Sequence, residues 1–256
     1  MPESTSPELS QAVPVELTLD CRYCFSLERR PTWPAVKALL LLGEKYDAED
    51  LREEAMLCLE RHYPKVIEQW DKLRAEHGSF ILGKPDVLPI EIANLARLER
   101  LPQFHLPALY ECCNLPTETL TEGARVDEDS EERVRLDDDD IKACLQARKA
   151  LKEAMRTNVE DLFEVTPCDM YDEFYCPMPH RCVPATQNIQ YHHEPAQTES
   201  IVEEAGYAAL DSLSSRIGVT FGEACERCVG FYHQRYAESR QELRNKLAKY
   251  IVVPPY

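Results

Sequence analysis

Residues 34–64, PAVKALLLLGEKYDAEDLREEAMLCLERHYP, constrain the fold most, because they read as two consecutive helices joined by a polar elbow. Pro34 suits the first turn of a helix, where a missing amide costs nothing. The leucine-rich run that follows is apolar nearly all round, which favours a buried helix. In the second helix one apolar face recurs at helical spacing, formed by Leu51, Ala55, Cys58 and Leu59. We expect Asp47 to cap that second helix and the pair to form the centre of a helical core.

The same periodicity predicts a mostly α fold for the rest of the chain. Further helices are expected over 63–77, from Leu88 onward, around 105–114, and over 137–162, 201–217 and 225–250. Alternating apolar and polar residues over 15–25 predict a short strand. Residues 166–187 combine prolines, aromatics and cysteines with little periodicity, which indicates a loop. The expected architecture is an irregular multi-helix bundle with at most one short N-terminal strand or hairpin and a cysteine-rich loop.

The acidic balance of the chain narrows the classes of partner. The formal net charge is −17 and the sequence pI is about 4.9, so nucleic acid and anionic membranes would be repelled by the average surface. No apolar run approaches the roughly 20 residues that cross a bilayer. Eleven cysteines occur without a signal-peptide pattern at the N-terminus. We therefore expect reduced thiols and an intracellular protein, cytoplasmic or nuclear.

Four segments of the chain, in order, resemble a known family. A leucine run is followed by K-Y-D, a short acidic elbow and L-x-x-x-A-x-x-x-L, after the strand-like LTLDCRYCF. Later come EIANLARLERLPQFHLPALYECCNLP, then LDDDDIKACLQARKAL, then CERC with a helix ending in KLAKYIVVPPY. Together they resemble the C-terminal part of fungal BTB (POZ) domain-containing proteins, from the closing helix pair of the BTB domain onward. The chain is then expected to lack the first half of that domain, which carries the usual dimerisation helices and much of the cullin-facing surface.

Composition and the resemblance together predict a division of the chain. Residues 1–14, rich in Ser, Glu and Pro, are expected to form a disordered tail. The resemblance then assigns residues 15–116 to the BTB C-terminal helices and a helical extension. An acidic linker follows over 117–136, and a helical domain with a candidate structural zinc site occupies 137–256. If the front half of the BTB domain is missing, the leucine-rich first helix is under-covered, so we expect exposed side chains among residues 39–42 unless downstream helices cover them.

Four cysteines in the last third of the chain are the preferred metal ligands. Cys176 and Cys182 lie in the cysteine-rich segment, and Cys225 and Cys228 form a C-x-x-C at the expected start of the last helix. That offset puts two thiols on one side of a first helical turn, near its positive end. Four thiolates make the tetrahedral set that structural zinc prefers.

Other assignments of these cysteines stay open. Cys168 is the main substitute as a ligand, and His180 is the next. The alternative to zinc is a loop pinned by buried thiols through packing alone. Cys21 and Cys24 form another C-x-x-C, but they lie in the expected strand, where small thiols commonly pack in a core. Adjacent Cys112 and Cys113 are expected to pack as well, because neighbouring helical residues point in different directions.

The family resemblance implies a non-enzymatic module for protein–protein interaction, an adaptor or scaffold whose partner is a cullin-type scaffold or a second copy of itself. One alternative is a transcription-associated zinc-binding regulator. Another is an enzyme that uses Cys and His or a zinc-bound water. The chain contains no G-x-S-x-G, no glycine-rich phosphate loop and no H-E-x-x-H, and has only eight glycines. We therefore predict no enzymatic activity.

Overall fold

The computed structural model describes residues 30–127, 131–164, 176–192, 195–213 and 223–253. Their helices are α1 Trp33–Tyr46, α2 Glu49–His62, α3 Ile67–His77, α4 Leu88–Leu98, α5 Pro102–Cys113, α6 Thr117–Glu122, α7 Asp138–Glu164, α8 Pro179–His192, α9 Pro195–Ala205, α10 Glu226–Asn245 and α11 Leu247–Tyr250. Two short strands, β1 Ala124–Arg125 and β2 Arg133–Val134, pair antiparallel. The fold is mostly α, as the apolar periodicity predicts. The strand predicted over 15–25 lies outside the described residues.

Helices α1 and α2 form the predicted pair. Helix α2 buries its predicted face, which includes Ala55. The leucine-rich run of α1 predicts burial nearly all round, but the helix buries one side only, which includes Leu40. The two helices approach closely at one point, because a Cβ added to Gly43 would lie 2.8 Å from the backbone nitrogen of Arg52. The contact between α1 and α2 therefore has room for glycine and for no larger residue at this position.

The elbow between these helices differs from the prediction. Asp47 does not cap α2, but ends α1 in the left-handed conformation with a φ of 51°. Ala48 stands at the start of α2 without a side-chain cap, and its amide donates to the carbonyl of Gly43 at 2.9 Å. Aspartate tolerates the left-handed conformation because its side chain is short and polar. The residue type that favours a helix start thus also favours the turn that ends the preceding helix.

Helix α1 leaves part of its leucine run uncovered. Leu40 is buried and Leu39 is half-buried, whereas Leu41 and Leu42 keep 38% and 41% of their surface exposed. One turn further on, Tyr46 is 66% exposed. The other described helices therefore cover one side of α1. Leu41, Leu42 and Tyr46 remain uncovered, and we refer to them as the α1 apolar face.

Helix α7 closes the end of α5 with a buried arginine. Arg148 donates from Nε to the carbonyl of Cys113 at 3.0 Å, from Nη1 to Oγ1 of Thr117 at 2.7 Å, and from Nη2 to the carbonyl of Leu115. Carbonyls at the end of a helix have no partner within it. The guanidinium supplies these partners and a positive charge at the negative end of the helix.

Two acidic residues at the start of α7 have contacts within the fold. Asp137, just before the helix, accepts the amide of Asp139 in the first turn at 2.9 Å. The carboxylate of Asp140 is fully buried, and it accepts from Nη1 of Arg97 at 2.8 Å and lies 3.0 Å from Nε2 of His105. These contacts of Asp140 join α4, α5 and α7, so this carboxylate stabilises the fold and does not face solvent.

The long helix α10 returns to the first part of the chain. Arg240 makes two hydrogen bonds of 2.7 Å with the carboxylate of Asp71 on α3. The side chain of Gln241 accepts the amide of Ile67, the first residue of α3, at 2.8 Å. Helices on both sides of the predicted linker over 117–136 therefore pack together, and the predicted domain boundaries stay a prediction.

A buried tryptophan lies where α3, α5 and α10 meet. The ring of Trp70 packs edge-on against Tyr110, with 6.2 Å between the ring centres. The guanidinium groups of Arg74 and Arg244 lie 4.3 and 4.9 Å from the ring centre of Trp70. Cations over an aromatic face are attracted by its electron-rich surface. The Trp70 ring therefore helps to hold both charged guanidinium groups against the core.

Glu111 of α5 is the acceptor at the centre of a buried polar group. It pairs with Nη2 of Arg74, accepts the hydroxyl of Tyr63 at 2.8 Å, and lies 3.8 Å from Nε2 of His62. Burial alone raises the pKa of this carboxyl, but the neighbouring His62 ring and the charge and hydrogen bond of Arg74 outweigh it and lower the pKa to about 2. The carboxylate therefore stays charged inside the fold.

Three other segments differ from the prediction. The cysteine-rich segment, predicted as a loop, contains α8, which begins at Pro179, where a missing amide needs no partner. The predicted helix over 201–217 ends at Ala205, because Gly206 takes a positive φ of 63°. The acidic linker holds α6 and the β1–β2 hairpin.

Within the described residues, no helix has the length and apolar character that a membrane span requires.

The close contact of α1 with α2 predicts opposite effects for two Gly→Ala substitutions in helices. Gly43→Ala places a methyl group against the backbone of Arg52 and should lower the free energy of unfolding by about 1–3 kcal/mol. Gly230→Ala in α10 meets no atom within 4 Å and should raise it by up to about 1 kcal/mol. Urea unfolding measures both; equal effects of the two substitutions would contradict the close contact.

The pKa of Glu111 predicts how stability changes with pH. Since the pKa is lowered from 4.5 to about 2 on folding, its contribution is present above pH 4.5 and is lost as the pH falls towards 2. Glu111→Gln should cost about 3 kcal/mol at pH 7, because it breaks a buried pair, and progressively less below pH 4.5. Urea unfolding across this range measures the difference, with exposed Glu60→Gln as control; a difference independent of pH would overturn it.

Candidate metal centre

Two helix beginnings bring four cysteines together. Cys176 lies just before α8 and Cys182 within its first turns, whereas Cys225 is the N-cap of α10 and Cys228 the third residue of that helix. The four Sγ atoms all lie within 4.8 Å of one another. We refer to Cys176, Cys182, Cys225 and Cys228 as the thiol cluster. The two halves of the cluster are separated by more than forty residues of sequence, and folding alone makes them neighbours.

The spacing of the sulfur atoms fits a tetrahedron around one ion. Sγ of Cys176 lies 3.9 Å from Sγ of Cys225 and 3.5 Å from Sγ of Cys228. A tetrahedral ion with bonds of about 2.3 Å to sulfur requires sulfur atoms about 3.8 Å apart. All four cysteines are free thiols. The cluster is therefore close enough to hold a metal ion.

The thiol cluster is shielded from solvent on most sides. Cys182 and Cys228 are fully buried, Cys225 is 6% exposed and Cys176 is half-buried. Ala224 belongs to the same buried group, and Met178 and Val229 pack against it. Four protein ligands shielded from solvent are typical of structural metal sites, whereas a catalytic site leaves one coordination position open for water or substrate.

Local electrostatics differ among the four thiols. Burial raises the pKa of Cys182 and that of Cys228. Burial also opposes ionisation of Cys225, but the amide of Cys228 and the neighbouring thiols outweigh it, so that the pKa of Cys225 is lowered. Both residues of the C-x-x-C stand in the first turn of α10, where free amides and the helix dipole favour negative charge. A bound cation would extend the same stabilisation to the other thiolates.

Hydrogen bonding also reaches the cluster from the backbone. The amide of Cys225 donates to Sγ of Cys182 at 3.2 Å, so the start of α10 is attached directly to α8. Amide donors of this kind stabilise a thiolate. The sequence gives no sign of this contact, because it depends on where α8 lies against α10. The nearest signal is Pro179, which permits a helix start just after Cys176.

Of the two substitute ligands, the structure describes only His180. His180 is exposed on α8 and does not belong to the group of four, and Cys168 lies outside the described residues, as do Cys21 and Cys24. Cys112 and Cys113 are fully buried in α5 and pack in the core, as predicted. The structure thus brings together the preferred four, while metal binding itself stays a prediction.

Comparisons with known proteins add no identity to this geometry. Searches against protein-family models, curated proteins and solved structures gave no match.

Proposed function

We propose that this chain is a non-enzymatic helical scaffold that binds other proteins, and that one structural zinc ion joins α8 to α10. The thiol cluster is the observation that carries the proposal, because four buried or half-buried sulfur atoms within 4.8 Å of one another are a complete ligand set. A tetrahedral set of four thiolates suits zinc or iron among the common metals. Zinc is the ion of redox-inactive structural sites.

The energetic scale supports a structural role for the ion. Binding of structural zinc to four protein ligands has apparent free energies of about 10–16 kcal/mol in small domains. A whole domain is stable by about 5–15 kcal/mol. The binding free energy of one zinc ion is therefore comparable with the net stability of a whole fold. Such an ion can stabilise a region that has few large apolar side chains.

The fold supports a binding role over a catalytic one. The buried His105–Asp140 pair has the spacing of a catalytic dyad, with 3.0 Å between Nε2 and Oδ2. Both side chains are at most 1% exposed and Asp140 also holds Arg97, so a substrate does not reach them. The α1 apolar face, by contrast, is open. Exposed apolar patches commonly bind other proteins, and the sequence resemblance to BTB proteins implies the same role.

The zinc proposal predicts a metal content. The chain purified under reducing conditions should contain about one zinc per chain, measured by mass spectrometry of the metal, because the thiol cluster supplies four ligands for one ion. The double variant Cys225→Ser/Cys228→Ser should lose it, whereas Cys58→Ser should keep it, since Cys58 is buried in α2 apart from the cluster. Folded, reduced protein with no zinc rules the site out, and iron in its place identifies a different centre.

The binding proposal predicts that the α1 apolar face contributes to a protein contact. Retention of the chain on an immobilised cullin scaffold, and its mass in solution by light scattering, test the two partners that the resemblance implies. Leu42→Glu should weaken whichever contact forms by at least about tenfold, or about 1.4 kcal/mol. Leu145→Glu on α7 is the matched control, because Leu145 is 40% exposed and Leu42 41%. If the chain is a monomer in solution and does not bind the cullin scaffold at micromolar concentration, this proposal is contradicted.

A further inference from the structure

The contact between α8 and α10 is built mainly from sulfur. The buried group at this contact consists of Cys182, Ala224, Cys225 and Cys228. Cys176, Met178 and Val229 pack against it. Such small side chains remove little apolar surface from water, and the free energy of burial scales with that surface. Packing alone therefore holds the beginning of α8 weakly.

A surface cleft of about 540 Å³ lies beside this contact. It is lined by Arg181, Pro184 and Ala185 of α8 and by Glu223, which precedes α10. Because its walls come from both sides of the contact, the cleft has this shape only while α8 lies against the start of α10.

Helix α10 is fixed independently of the cluster. Tyr232, Tyr236 and Leu243 along its length are buried. Arg240 holds Asp71 of α3 through two hydrogen bonds, and the helix packs along α7 as well. Cys225 and Cys228 are thus presented by an element that the main core already holds in place. The start of α8 has no comparable large buried side chain among residues 176–185.

We infer that the metal controls the docking of α8: with the ion bound, the segment over 176–192 is held against the start of α10, and without it this segment is released while the rest of the core stays folded. The inference rests on the proposed zinc site and adds a regulatory consequence, because the availability of the ion then decides whether the surface around α8 and Glu223 exists. Helix α8 also contacts α7, and that contact limits how far the released segment moves.

Hydrogen exchange of the full chain tests the inference. The zinc-loaded protein is compared with the same protein after treatment with an excess of chelator under reducing conditions, and after zinc is added back; metal analysis accompanies each sample. Amides over 176–192 should exchange at least about tenfold faster without the ion and recover with it. Amides of α5 should not change. Fluorescence of Trp33 and Trp70, the two tryptophans of the chain and both buried in the main core, should also stay constant.

A variant separates loss of the ion from effects of the chelator. Cys176→Ser removes the half-buried ligand and should reproduce the fast exchange over 176–192 in the presence of zinc. Cys58→Ser, which changes a buried thiol in α2, should leave that exchange as in the original chain. If Cys176→Ser shifts the tryptophan emission, the double variant Cys225→Ser/Cys228→Ser, which leaves α8 unchanged, is the second test.

The outcomes distinguish this inference from the proposed function. No zinc in the purified chain overturns both. One zinc per chain with unchanged exchange over 176–192 after its removal overturns the docking inference and keeps the zinc site. One zinc per chain with fast exchange throughout and a shift of the tryptophan emission also overturns it, because the ion then holds the whole fold.

Discussion

The bidentate pair between Arg240 and Asp71 is the contact on which the arrangement of the chain depends. The guanidinium is 2% exposed, and besides the two hydrogen bonds to Asp71 it donates to the carbonyl of Leu210 at 2.9 Å. Removing one partner of a buried pair leaves an uncompensated charge, at a cost of about 3–5 kcal/mol. Three segments that are distant in sequence are joined at this one side chain, and α10 is thereby aligned so that its start meets the cysteines of α8.

The same residue type has two different roles in this protein. Cys112 and Cys144 are buried among apolar groups of α5 and α7, and burial raises the pKa of Cys112 well above its usual value. In the thiol cluster the amides at the start of α10 oppose burial and lower the pKa of Cys225. The amides at the start of α10 thus favour the thiolate of Cys225, whereas burial dominates at Cys112 and also at Cys228.

The sequence predicted those features that depend on local pattern. Helices α1, α2, α4, α5 and α7 follow from apolar residues at helical spacing, and the C-x-x-C at the start of α10 follows from the expected beginning of that helix. Thiolate chemistry favours the four preferred ligands, and the structure brings their sulfur atoms together. Features that depend on the surroundings were missed. Asp47 closes a turn instead of capping α2, and α8 forms where prolines suggested a loop. Tertiary contacts decide between such local alternatives, and no single stretch of sequence encodes them.

The length of α10 sets how its two ends influence each other. Arg240 lies twelve positions after Cys228 on a continuous helix, which corresponds to about 18 Å at 1.5 Å per residue. Side chains farther apart than about 10 Å, with no shared partner, contribute to stability additively. The helix therefore fixes where the thiols lie relative to the core. Binding of an ion to these thiols nevertheless changes little of the stability that the Arg240–Asp71 pair contributes.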